Sequence, residues 1–348
     1  MIQVREYTGK NREDRMNLKK MPELYTPNLK EKMNTAPMEI LWESDGEGGA
    51  RILRVFGNTL KVRLPEALEG LPVTQIGAYC FSSADRLSDP VSTDLPAICG
   101  SYVEEVYLPS ALTTLHNAAF YNCRKLRSLT VGKGIRGIGS DVFMNCVDLD
   151  HIEVRASCVE KTGLSLILER LISDVEVCFR PEDDRKECVL FFPEYYEWLN
   201  EISPAHVFSR SIEGEGFRIR RVFHDQRVDL GKYDQCFPDI LKGESDRNIC
   251  RIALNRLRWP VSLSGEAEER YSRAVKDLLS EAADIMIRHR DLEGLGYLCS
   301  RFDPSREELF SWMQEMIASE WGEGNAYLLE EVHKRSSFSK KRFILEDL

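Results

Sequence analysis

Two stretches of this chain superimpose without gaps at an offset of 23 residues. One is VYLPSALTTLHNAAFYNCRKLRS, starting at Val106, and the other is LTVGKGIRGIGSDVFMNCVDLDH, starting at Leu129. Leu115 falls on Ile138, Phe120 on Phe143, Asn122 on Asn145, Cys123 on Cys146 and Leu126 on Leu149. A third copy opens at Ile152 and then decays. A diverged earlier copy has Val62 and Leu64 on its strand, and its Ile76–Phe81 matches Ile138–Phe143. Phe81 and Phe120 are one period plus 16 residues apart, so an insertion occupies 82–102, marked by Pro90 and Pro96.

A period of this length restricts the fold to a solenoid. Each copy carries one short strand of alternating polarity, with Leu129 and Val131 facing in and Ser128 and Thr130 facing out. A turn then returns Ile138 and Phe143 to the same core. One copy cannot bury its apolar face, whereas stacked copies share a continuous core. The recurring Asn and Cys read as turn caps and small core fillers rather than a ligand ladder.

The motif I-G-x-x-x-F-x-x-C-x-x-L, as in Ile138-Gly139, Phe143, Cys146 and Leu149, resembles the BspA-type leucine-rich repeat. The lead-in from Leu64 to Gly77 is similar to that family's opening, and the resemblance covers roughly 38–160. It implies a right-handed solenoid and a protein-interaction role. The segment from Leu190 to Phe217 resembles the continuation seen in cytoplasmic bacterial proteins with these repeats, and implies architecture only.

The second half follows another rhythm. The polar stretch 181–187 reads as a boundary, and helical spacing is expected to dominate 188–348. Tyr271, Val275, Leu278, Ala282 and Ile285 draw one stripe along a helix that Ser264 would cap. A weaker repeat at offset 30 sets Leu279, Met286, Gly294, Tyr297 and Leu298 on Leu309, Met316, Gly324, Tyr327 and Leu328. It predicts ankyrin- or HEAT-like helix pairs over 266–335, with Asp303-Pro304-Ser305 starting one helix. The fold class is therefore α+β: a short leucine-rich-repeat solenoid over 37–180, then an all-α repeat-like module. The charged segment 1–36 is expected to be flexible.

Bulk properties narrow the function. The chain has 348 residues and a formal net charge of −10, with the acidic excess spread through the body. That opposes nonspecific binding to nucleic acid or anionic membrane. The opening MIQVREYTGKNREDRMNLKK lacks the apolar core of a secretory leader, so a cytoplasmic location with reduced thiols is expected for the ten cysteines. No C-x-x-C, paired-histidine, P-loop or G-x-S-x-G pattern occurs, and no metal or cofactor is expected.

The outward strand positions Glu105, Tyr107, Ser128, Thr130, His151 and Glu153 form one sheet face, the candidate surface for a protein partner. Arg210, Arg218, Arg220 and Arg221 interleave with aromatic residues, which makes the Arg-rich 210–258 region a candidate for anion or nucleic-acid contact. Arg247, Arg251 and Arg258 share a helical face with Asn255 and are weighed the same way. Non-catalytic protein interaction is the leading expectation. An enzyme with its site where the two modules join is the alternative.

Overall fold

The computed structural model describes residues 2–6, 19–20, 37–84, 86–87, 91–181, 185–202 and 207–346. The strands in chain order begin with β1 (Ile2–Glu6), β2 (Lys19–Lys20), β3 (Met38–Ser44), β4 (Ala50–Gly57), β5 (Lys61–Arg63), β6 (Ala67–Leu68) and β7 (Leu71–Ile76). They continue with β8 (Glu105–Tyr107), β9 (Thr114–Leu115), β10 (Ser128–Val131), β11 (Gly137–Ile138), β12 (His151–Val154) and β13 (Val175–Phe179). β14 (Cys188–Phe192), β15 (Tyr196–Ile202), β16 (Val207–Glu213), β17 (Phe223–His224) and β18 (Arg227–Val228) complete the set. Short helices α1 (Leu164–Leu168) and α2 (Gly216–Ile219) lie among them. The helical part comprises α3 (Leu230–Gly243), α4 (Asp246–Arg258), α5 (Gly265–Asp277), α6 (Leu279–Arg288), α7 (Leu292–Phe302), α8 (Arg306–Ala318) and α9 (Gly322–Glu346).

The 23-residue period becomes a parallel sheet. β5, β8, β10, β12 and β13 stack in register, and β14 closes the row antiparallel to β13. Across the coil, β7, β9 and β11 run parallel in a second sheet that continues through β4 and β3 to β1 and β2. Ile76 and Leu115 are fully buried there, while Ile138 is only half-buried. β11 is the edge of that sheet, and among the described residues no further strand pairs with it.

Between the strands, each coil turns through the same left-handed backbone positions. Tyr79, Ala118 and Asp141 have φ of 59, 55 and 56°, and Asn122 and Asn145 have 63 and 62°. Asn tolerates this conformation better than most residues, which explains its recurrence. The Asn145 amide donates to the Asn122 side-chain oxygen at 2.7 Å. Inside the turns, Phe81, Phe120 and Phe143 stack with centroids 4.9 and 5.6 Å apart. The Cys123 and Cys146 thiols donate to the Phe81 and Phe120 carbonyls, each at 3.1 Å. The repeated cysteines thus pack inside the coil, each bonded to a carbonyl of it.

Within the insertion, residues 96–98 run beside β4, with Ile98 N donating to Val55 O and Gly57 N to Pro96 O, both at 2.9 Å. Strand structure also extends beyond the expected boundary at 181–187. Residues 188–192, read as the start of the helical part, form β14, buried at every position. A short run of apolar residues does not by itself distinguish a strand from a helix. The two compact units are 1–233 and 234–348.

In the second unit, α4 packs on α5, α6 on α7, and α8 on α9. α6 contacts both α4 and α8, and α7 contacts α9. The offset of 30 reappears in the backbone. Arg290 and Glu320 both adopt positive φ, 50 and 54°, and each is followed by the same back-bond, Asp291 N to Met286 O and Trp321 N to Met316 O. Ser264 and Ser305 cap α5 and α8 with their side chains, Ser305 in a full capping box with Glu308. The pair α4/α5 lies outside the 30-residue pattern.

Candidate interaction surface

The register of the six-stranded sheet turns the outward positions into two rows. Lys61, Glu105, Ser128, His151 and Glu176 align in one, and Arg63, Tyr107, Thr130, Glu153 and Cys178 in the other. Glu105, Tyr107, Ser128, His151 and Glu153 are half-buried on this face. Thr130 departs from expectation: it is buried, 7% exposed. Its row neighbours are Tyr107 and Glu153, both with larger side chains.

The face is internally tied. The Lys61 ammonium lies 2.6 Å from Glu105, and the Tyr107 hydroxyl donates to the same carboxylate at 3.3 Å. Arg63 stacks its guanidinium 4.3 Å from the Tyr107 ring centroid. Burial and the Glu105 charge both hold the Tyr107 hydroxyl above its ordinary pKa. Glu105 likewise raises the Lys61 ammonium. Glu153 sits between Arg155 and Arg180, each 2.8 Å away. Lys61, Arg63 and Glu176 complete the rows and were missed in the sequence. The register supplies them: Lys61 and Arg63 flank Val62 on the diverged first copy, and Glu176 lies beyond the point where the third copy decays.

The Arg-rich region divides. Arg220 is buried, not presented to an anion. Its guanidinium donates to the carbonyls of Pro193, Gly216 at 3.1 Å, Ser173 at 2.6 Å and Phe192 at 3.5 Å. These four carbonyls take up the guanidinium, so the arginine is consumed by structure. Arg221 is exposed over the Phe217 ring at 3.8 Å, and Arg218 is exposed near Glu215. Arg210 lies outside the residues whose side chains are described. On α4, Arg247 pairs with Asp284 and Arg258 with Asp291, so both already meet carboxylates.

A second buried arginine does the same work at the start of the coils. Arg54 donates to the carbonyls of Tyr79 at 2.9 Å, Cys80 at 3.3 Å and Ser82 at 2.7 Å. In later coils the equivalent carbonyls accept from the preceding coil, as Ala119 O does from Phe81 N and Val142 O from Phe120 N. His116 bonds Gln75 Oε1 at 2.7 Å, and Gln75 also accepts from Arg51. Burial and Arg51 push its pKa down. Among the described residues no His, Cys, Asp or Glu cluster could hold a metal, and no helix is long and apolar enough to cross a membrane.

Stacked parallel strands with an Asn/Cys/Phe turn ladder define a leucine-rich-repeat solenoid. The family described as BspA type Leucine rich repeat region matches residues 96–166 in 6 copies. Over those residues the chain is similar to the BspA-type leucine-rich repeat. Among solved structures, the T. pallidum leucine rich repeat protein matches at 20% identity, over 40% of this chain and 78% of that one, with a TM-score of 0.21. Comparison with curated proteins gives no match.

Proposed function

We propose that the protein is a non-catalytic scaffold that binds another protein on the outward face of its six-stranded sheet. Leucine-rich repeats serve as interaction surfaces as a class. The observation that carries the reading here is the pair of register-locked rows around Tyr107. That side chain is already fixed by Arg63 on one side and Glu105 on the other. A preordered aromatic and polar patch loses little side-chain entropy when a partner docks. Anion binding has weaker support, because Arg220 is committed to carbonyls and Arg247 and Arg258 to carboxylates.

The test places a photo-crosslinking residue at Ser128 or His151, and at the exposed Arg136, just before β11, as a control, in protein returned to its source cells. One defined partner captured from the first two positions, absent at Arg136 and lost on Tyr107→Ala, supports the reading. Equal capture at all three positions, or capture that Tyr107→Ala leaves unchanged, overturns it.

A further inference from the structure

We infer that the free side of the last helix pair, α8/α9, is a self-association surface that takes a second copy of this chain. The argument starts from the 30-residue repeat. Ile287 on α6 and Cys299 on α7 are each 4% exposed. Their equivalents on the last pair, Ile317 and Leu329, are 64% and 52% exposed. Phe310, one stripe along from Ile317, is 43% exposed. The same stacking positions are thus covered in one pair and open in the next.

Direction follows from helix geometry. Glu315 interacts with Asp284 and Arg288, so its side of α8 faces α6. A methyl at Gly296 of α7 would stand 3.2 Å from the Tyr327 hydroxyl, so Tyr327 marks the side of α9 that faces α7. Two residues on from each, Ile317 and Leu329 stand about 200° round their helices, on the far side. Phe310 and Ile317 lie about 20° apart on the wheel and two turns apart along it. Among the described residues no helix pair follows to cover them.

The pattern along α8 is self-complementary, and this selects the occupant. In order it reads Arg306, Phe310, Met313–Gln314, Ile317, then Glu320 just past the helix end. Arg306 and Glu320 are both exposed. A two-fold axis crossing the helix at Met313–Gln314 sets Phe310 of one copy against Ile317 of the other. The same axis brings Arg306 to Glu320 at both ends. An isologous interface needs this reciprocity, residue i meeting j while j meets i. The face is two helices wide, so the association is expected at the weak end of stable interfaces.

Sedimentation of the full chain, over a hundredfold concentration range up to about 0.1 mM, provides the test. The expected result is a monomer–dimer equilibrium. Ile317→Glu and Phe310→Ser weaken it about tenfold or more, with unchanged circular dichroism melting. Arg306→Glu and Glu320→Arg each weaken it, and the double charge reversal restores it, because each swapped charge again meets its opposite across the axis. A monomer throughout the range overturns the proposal, and so does a dimer that these variants leave intact. The result is independent of the sheet-face reading, since none of these residues lies in the first unit.

Discussion

Arg256 and Asp234 make a two-pronged ion pair inside the helical unit, Nε to Oδ1 at 2.7 Å and Nη2 to Oδ2 at 3.0 Å. The arginine is fully buried and also donates to Val261 O, and the Tyr271 hydroxyl donates to Asp234 at 2.8 Å. Asp234 belongs to α3, Arg256 to α4 and Tyr271 to α5, so one carboxylate gathers three helices. Asp234→Ala strands a buried guanidinium and is expected to cost about 3–5 kcal/mol. Replacing the pair together, Asp234→Leu with Arg256→Met, recovers most of that loss. Hydrogen exchange of α4 and α5 peptides checks the order: the single variant loses protection and the double variant keeps it.

Arg54 and Arg220 each hold a cluster of backbone carbonyls. Each variant, Arg54→Met and Arg220→Met, leaves at least three carbonyls without their charged donor. A destabilisation of about 2–4 kcal/mol is expected for each. The loss is local: amide exchange accelerates in 76–84 for Arg54→Met and in 173–194 for Arg220→Met. An Arg220→Met protein that keeps its protection while losing phosphate binding would return Arg220 to the anion role.

Glycine positions divide by what a methyl would strike. At Gly139 it would meet the Asn117 backbone N at 2.5 Å and Cα at 2.8 Å. Backbone cannot step aside, so Gly139→Ala is expected to destabilise by about 1–3 kcal/mol. At Gly294 the nearest atom is the Met286 sulfur, the mobile part of a flexible side chain. Gly294→Ala should therefore cost less, and thermal melts of the two variants rank them.

The cysteines make an alkaline prediction. Burial pushes the thiols of Cys80, Cys146 and Cys250 up to about 12, and those of Cys178 and Cys299 to about 11. A folded-state pKa raised above the unfolded value gives stability that is full below the unfolded value. That stability is lost as pH rises through the folded value. Unfolding free energy should thus begin to fall near pH 9, the ordinary thiol value, and go on falling towards 12. Below pH 8, iodoacetamide should label Cys99 first, the half-buried thiol, and the nine buried ones only after unfolding. A flat stability curve from pH 8 to 11 would contradict the burial argument.

The repeat was legible because every coil asks the same of the same position. Phe120 and Phe143 align in the sequence since each stacks on its neighbour, and Asn122 and Asn145 since each adopts the same left-handed turn. The ends were not legible, because an end makes a demand that occurs once. Arg220 sits in an alternating Phe-Arg-Ile-Arg-Arg run that reads as a basic edge, and only the carbonyls gathered around it reveal its role. β14 was hidden in the same way: Val189–Phe192 is apolar on both faces and offers no period to read. On the candidate face, Thr130 has the right parity yet is buried between Tyr107 and Glu153 in its row, which parity alone does not reveal.

Arg54 and Tyr233 also fix a length. A stack of equivalent coils has no inherent last member, because each coil presents the groups that another would bond. In the language of polymerisation, the two side chains are chain terminators. Arg54 holds turn carbonyls of the first coil, and the Tyr233 hydroxyl accepts from Phe191 N and donates to Phe191 O on the edge strand β14. Neither can propagate, and an exposed sheet end would otherwise template further strands. The expected consequence of losing either is growth as well as softness: a chain that adds copies end to end through the coil left open.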